Sequence, residues 1–454
     1  MDQKELRDSV DTIVIVMMEN RSFDHLLGHM SQSQFGGRTD IDGIPSLLDP
    51  NLANPSGNGT LVRPFIAKDG PLTNDLPHER PFVRMQLASS PVTGGPSMTG
   101  FVKAYEAATG TSGVVDPPPM GLLTPPDLPT TSFLAREYAV CDRWFAPIPA
   151  STQPNRLMAI SGYTERDNTI SGLLPDQDTL FQWLDAQPVP VPWRVYSAGL
   201  SFFTLMPKMW PELLTDRFRR LPALSFDFLH EPDATRPKVI VIEPDYDDSP
   251  VHLSGHANDN HPPLPVAFGE AFVRQVYEAL TSNPERWQKT VMILTYDEHG
   301  GFFDHVPPLP VPCPPPPGAA YAAFDTTGVR VPAVVVSPLV RRASVKHATL
   351  DHTSILALLA ERFGQPGVPY SPAVAARTTA GIASVSAVLD SGPPRSDIPR
   401  ISPAPIQAAA ALQTWADPVN AMSNSFATAI EQFAQAHGPA ALQKYPEIAH
   451  WLAP

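Results

Sequence analysis

Three short apolar runs constrain this chain most: Thr12–Met18 (TIVIVMM), Lys238–Ile242 (KVIVI) and Val291–Leu294 (VMIL). They are too short for amphipathic helices and lack polar alternation, which is how strands buried on both faces of a parallel sheet read. Each breaks off near acidic residues: Glu19-Asn20 after the first, Glu243-Pro244-Asp245 after the second, Asp297-Glu298 after the third. In open α/β sheets, ligands sit just beyond the carboxyl ends of the strands. If the three strands are parallel neighbours, their acids converge on one edge. Carboxylates crowded there need a cation or a bound proton to relieve them. Gly300-Gly301 would let the backbone turn sharply and approach something closely. Apart from such neighbours, the same residues make only a solvated, charged turn.

Further strands are predicted at Trp193–Tyr196 and Val329–Ser337. Helices are predicted at Thr130–Tyr138, Leu157–Ser161, Asp178–Leu184 and Ala267–Leu280, with another running from the Leu350–Ser354 cap to Phe363. Strands alternating with helices argue for an α/β fold, a mostly parallel central sheet with helices on both faces. Residues 1–454 read as one catalytic domain, with 31–114 a loop-rich covering and 400–454 C-terminal helices docked on it. Within that end, 406–416 and 422–437 read as helices, and 371–405 as irregular surface. The 55 prolines are over twice the usual ~5% and point to long ordered loops.

Lys plus Arg is 32 against 46 Asp plus Glu, a net charge of −14, with no basic patch to hold a nucleic-acid backbone. Two cysteines, Cys141 and Cys313, exclude a disulfide framework and leave one bridge open. The N-terminus is polar, and no run approaches the ~20 apolar residues of a membrane span. As written the chain reads as cytoplasmic; a removed leader would make it exported or periplasmic. Peripheral contact with a membrane is the lipid interaction this leaves, and Leu200–Met206 (LSFFTLM) would serve as an apolar mouth or as ordinary core. Oligomeric state is not legible.

Carboxylate and amide oxygens without thiolates suit one hard divalent cation, Ca²⁺, Mg²⁺ or Mn²⁺, with Zn²⁺ if imidazoles join. Such a cation would lower the pKa of a nearby hydroxyl and neutralise a phosphoryl oxygen. Thr152 stands in Ser151-Thr152-Gln153-Pro154-Asn155-Arg156, where a hydroxyl before a proline-started helix reads either as an N-cap or as a nucleophile. His78, His261, His305 and His352 are candidate donors to phosphate or to a leaving group; each alone reads equally as a structural histidine.

Taken in order, Glu19-Asn20-Arg21-Ser22-Phe23-Asp24, Thr152-Gln153-Pro154-Asn155-Arg156, Glu243-Pro244-Asp245-Tyr246, His261-Pro262-Pro263, Tyr296–Val306 (YDEHGGFFDHV), Gly328-Val329-Arg330-Val331-Pro332 and Asp351-His352-Thr353-Ser354 resemble the bacterial phosphoesterase family of phospholipases C and an acid phosphatase. The resemblance implies an alkaline-phosphatase-like fold and hydrolysis of a phosphate ester or phospholipid. It implies a metal and phosphate site at Glu19, Asn20, Asp297 and Glu298, with Thr152 as nucleophile and His78 and His261 as the family's catalytic histidines. Asn20, His305 and His352 would bind substrate. Pro77-His78-Glu79-Arg80 matches the family pattern only loosely. Acid phosphatase activity on monoesters is the alternative, and a non-catalytic module binding through Pro314–Pro317 is another. Sulfatases share the superfamily fold, but they need a modified Cys or Ser where this chain has Thr152.

Overall fold

The computed structural model describes residues 1–89, 94–253, 255–402 and 419–452. Its main sheet has eight strands: β1 (Thr12–Met18), β2 (Ala139–Cys141), β3 (Trp193–Ser197), β4 (Phe218–Arg220), β5 (Val239–Glu243), β6 (Thr290–Tyr296), β7 (Ala333–Val336) and β8 (Ser344–Lys346). Their spatial order is β8-β2-β7-β6-β1-β5-β3-β4. β1 lies between β6 and β5, parallel to both, with Val16 opposite Leu294 on one side and Ile242 on the other. Every residue of β1 and β6 is buried, which explains their unbroken apolar patterns. The sheet is mostly parallel; β7 is the exception, antiparallel to β6 and to β2. β2, β4 and β8 have three residues each, too few for periodicity to reveal them.

Around the sheet lie α1 (Pro129–Glu137), α2 (Thr152–Ser161), α3 (Ala267–Thr281), α4 (Thr353–Phe363) and α5 (Ala421–His437). α3 packs on α1, and α4 on α2. α5 sinks Met422, Phe426, Ile430 and Phe433 into the main core. The expected helix over 406–416 lies outside the described residues.

Two expectations change. α2 begins at Thr152 rather than Leu157, and Ser151 occupies the N-cap position. The Asn155 side chain builds this turn: its amide donates to Ala150 O (2.7 Å) and Ser151 O (3.1 Å), and its Oδ1 accepts from Ile148 N (3.2 Å). Thr152 is therefore not the cap. Residues 371–405 contain a helix, Pro372–Thr379, started by Pro372 after Ser371, whose hydroxyl accepts from Val374 N. Of the two readings of Leu200–Met206, ordinary core holds: Phe202, Phe203, Leu205 and Met206 are buried.

Within 31–114, Ile44, Val83, Leu87, Phe101 and Val102 make a smaller core that takes in Phe303 from the loop after β6. The covering is thus pinned to the segment carrying Asp297 and Glu298. Both cysteines are free thiols, and no helix among the described residues is long and apolar enough to cross a membrane.

Candidate active site

Because β1 and β6 run in register, with Met18 opposite Tyr296, the residues after them emerge together. Asn20 takes a left-handed backbone (φ 59°), which asparagine tolerates better than most residues. Its N–H donates to Asp297 Oδ1 (3.1 Å), which also accepts from Glu298 N (2.7 Å), while Arg21 N donates to Glu298 O (3.1 Å). Gly300 (φ +60°) makes the approach possible: a Cβ there would fall 2.1 Å from Asn20 O. Thus Gly300 lets the two strand ends come together, while Gly301 lies against Leu76 and Pro77.

Glu19 is 1% exposed, and Asn20, Asp297 and Glu298 are 0%. Asn20 Oδ1 and Glu298 Oε1 accept no hydrogen bond, while Glu19 Oε1 and Asp297 Oδ2 have the Arg156 guanidinium as their ion-pair partner. Burial without such partners is costly. Burial pushes Glu19 well above the usual carboxylate range and Asp297 up to about 6, against the pull of Arg156 on both. Burial also raises Glu298, but the charge on His78 and the His299 hydrogen bond outweigh it and hold Glu298 below its ordinary value.

Arg156 is the counter-charge. It sits one helical turn after Thr152 on α2, its Nη2 2.9 Å from Glu19 Oε1 and its Nε 3.5 Å from Asp297 Oδ2. Nη1 donates to the Tyr246 hydroxyl (3.1 Å), and the guanidinium carbon lies 5.3 Å from the Phe202 ring centre and 5.0 Å from that of Tyr246. The first turn of α2 is thereby tied to the carboxylates of β1 and β6. Thr152, itself buried, opens that turn. Glu243, on the other neighbour of β1, accepts from Phe202 N (3.0 Å) and the Tyr246 hydroxyl (3.2 Å), so it backs the arginine.

His78 and His261 meet beside this group, ring centres 5.9 Å apart. The backbone carbonyl of Leu76 faces His78 Nδ1 at 2.7 Å, and His78 Nε2 lies 3.4 Å from Asn20 Nδ2. Burial lowers the pKa of His78, but Glu298 and Asp75 overcome it and raise it to about 9. His261 Nδ1 is in contact with Pro262 O, and Asp259 Oδ1 accepts the backbone N–H of His261 (3.0 Å). Two sets of ligand atoms, each within 4.8 Å of one another, share His261: Asp75, His78 and His261, and Glu19, Asp248 and His261.

The other two histidines stand apart from these sets. His305 contacts Asp24 (2.7 Å) and Asp42 (3.1 Å), in a network where buried Arg330 also pairs Asp24 (3.0 Å) and Asp304 (3.1 Å). His352 is buried behind the site, between the Trp144 indole N–H (3.1 Å) and Asp297 O (2.7 Å), and burial lowers its pKa to about 4. Arg156, Asp248 and Asp259 carry geometry that sequence reading did not assign. For Arg156 the available signal was its spacing of four from Thr152, one turn of helix.

The ligand atoms that lie close enough to hold one cation are those of the two carboxylate and imidazole sets that share His261; Asn20 Oδ1 and Glu298 Oε1 are buried beside them without a hydrogen-bond donor, and Asp297 pairs with Arg156. Oxygen donors favour Ca²⁺, Mg²⁺ or Mn²⁺, and added nitrogen admits Zn²⁺.

The model of the phosphoesterase family matches residues 10–366. Non-specific phospholipase C1 of Arabidopsis thaliana is 33% identical over 388 residues, 79% of this chain and 68% of that protein. Phospholipase C A of Mycobacterium tuberculosis is 31% identical over 403 residues, 79% of this chain and 73% of that protein. Among solved structures, a protein in the alkaline phosphatase superfamily from Vibrio parahaemolyticus overlaps 80% of this chain and 76% of its own at a TM-score of 0.32 and 12% identity, a likeness too slight to argue from. With the family match spanning most of its length and its acids gathered at one sheet edge, the chain belongs to the phosphoesterase family and is a hydrolase of phosphoric esters.

Proposed function

We propose that the chain cleaves the phosphodiester of a phospholipid in the manner of a phospholipase C, with Thr152 as nucleophile and one divalent cation held by Glu19, Asn20, Asp297 and Glu298. One observation supports this reading: the ends of two in-register strands bury Glu19, Asn20, Asp297 and Glu298 together, Asn20 Oδ1 and Glu298 Oε1 accept no hydrogen bond, and Arg156 ties the turn that bears Thr152 to Glu19 and Asp297. The names of the relatives, phospholipases C from a plant and a bacterium, support the diester.

When bound, the cation supplies positive charge at the phosphoryl oxygens and at the attacking hydroxyl. Thr152 Oγ attacks phosphorus as its hydroxyl proton passes to water, so that an Oγ–P bond forms while the bond to the diacylglycerol oxygen breaks in line. The departing oxygen takes its proton from His78 or His261, which nearby carboxylates keep protonated at neutral pH. Water then attacks the phospho-threonine and gives a proton back to the neutral histidine, while the leaving Thr152 Oγ takes one from solvent, which releases the phosphorylated headgroup and restores the hydroxyl. Asn20 Nδ2 and the backbone amides at the start of α2 donate to the equatorial oxygens, where charge accumulates. The lipid is met by peripheral contact with a membrane surface.

The test compares p-nitrophenyl phosphorylcholine with p-nitrophenyl phosphate, with and without chelator, in wild type and Thr152→Ala. Preference for the choline diester, loss with chelator and a fall of about 10⁴-fold or more in kcat for Thr152→Ala are expected. Preference for the monoester makes the protein a phosphatase. Hydrolysis of neither ester by wild type overturns the reading.

A further inference from the structure

α5 lies beyond residue 366, where the family match ends, yet it reaches back to the site. Its N-cap, Asn420, works in two directions. Oδ1 accepts from the backbone N–H groups of Met422 and Ser423, both at 2.8 Å, and so caps the helix. Nδ2 donates to Asp248 Oδ1 at 2.6 Å. Asp248 is buried, and its carboxylate belongs to the set within 4.8 Å that includes Glu19 and His261.

One turn into the helix, Ser425 Oγ accepts from Gln153 Nε2 at 3.3 Å, and Gln153 directly follows Thr152. Ser425 Oγ also accepts from Gly172 N at 3.1 Å. The next residue, Phe426, packs 5.9 Å from the ring of Tyr246, whose hydroxyl takes the hydrogen bond from Arg156. A single helix thus touches the partners of the carboxylates, the arginine and the threonine.

We propose that α5 is a working part of the site, with Asn420 a positioning residue that aims Asp248 at Glu19 and His261, and Ser425 one that fixes Gln153 and hence the first turn of α2. The inference rests on the site as read above. A carboxylate with one oxygen held by a donor offers the other in a fixed direction, and losing such an outer partner costs about 10–100-fold in metal affinity or activity. A helix that only covered core would have no use for a cap whose amide donates to a buried acid.

Asn420→Ser separates the two roles, because serine caps as well as asparagine but is too short to reach Asp248; Asn420→Ala removes both. Full-length protein stripped with chelator is titrated with Mn²⁺ by calorimetry, and thermal unfolding without cation is followed in parallel. Asn420→Ser is expected to keep the wild-type midpoint within a few degrees, to bind Mn²⁺ about 10–100-fold more weakly and to lose kcat/KM on the choline diester by a similar factor. Ser425→Ala is expected to lower kcat several-fold with KM unchanged. Wild-type Mn²⁺ affinity and turnover in Asn420→Ser would reduce α5 to a structural cap, and a wild type that binds no Mn²⁺ would show that Glu19, Asp248 and His261 hold no cation. Because binding is read without turnover, a wild type that binds Mn²⁺ but cleaves neither ester sinks the hydrolytic reading alone.

Discussion

Arg156 is the only basic side chain ion-paired with Glu19 and Asp297 among the described residues. Removing one partner of a buried ion pair usually costs about 3–5 kcal/mol, so Arg156→Met should lower the urea stability of cation-free protein by that order. A cation that binds the folded chain shifts its unfolding in the opposite direction. At a hundred times its dissociation constant it adds about 2.7 kcal/mol, and chelation should remove that increment in wild type and far less of it in Asp297→Asn. Melting curves with and without EDTA decide this. That Glu19-Asn20 and Asp297-Glu298 meet at one edge was legible because each pair follows a long, wholly apolar strand. Arg156 was not, since its role appears only when α2 is laid across the strand ends. For His305 and His352, motif membership carried no information on their neighbours, which are Asp24 and Asp42 for the first and Trp144 and the backbone of Asp297 for the second.

At the scale of elements, the junction after β6 depends on Gly300. Forcing a side chain into its left-handed backbone costs about 1–2 kcal/mol, and the Cβ would also strike Asn20 O. Gly300→Ala should therefore separate the strand ends, lowering cation affinity in calorimetric titration more than it lowers the melting temperature. Gly318 (φ +93°) has nothing within 4 Å of an added Cβ, and the same change there should leave cation affinity as it was. The long buried strands and most helices could be read from pattern. β2, β4 and β8 escaped because three residues show no period, and the antiparallel direction of β7 escaped because apolar content carries no direction.

Across the whole molecule, Arg330 acts as a tie between loops distant in sequence. Beyond its pairs with Asp24 and Asp304, it donates to Asp42 O (2.7 Å) and Asp142 O (2.8 Å), joining the segments after β1, β2 and β6. His305 belongs to this tie. Burial lowers its pKa, but Asp24, Asp42 and Asp304 raise it to about 10, against about 6.5 in an unfolded chain. A group raised on folding stabilises fully below its unfolded value and loses that contribution as pH rises through its folded one. Stability should therefore fall between about pH 6.5 and 10 in wild type. In His305→Gln this part of the slope should be missing, which denaturant titrations across the interval would reveal.

β1 is flanked on both sides by parallel partners, and it acts as a gauge for the distance at which the first acid is delivered. A strand advances about 3.3 Å per residue and reverses its side chains at each step. Inserting or deleting a single residue within Thr12–Met18 would thus move Glu19 off the edge and turn it to the opposite face. Substitutions in β1 that keep bulk and greasiness have room to accumulate, whereas the count of its residues is fixed by what must happen at its tip.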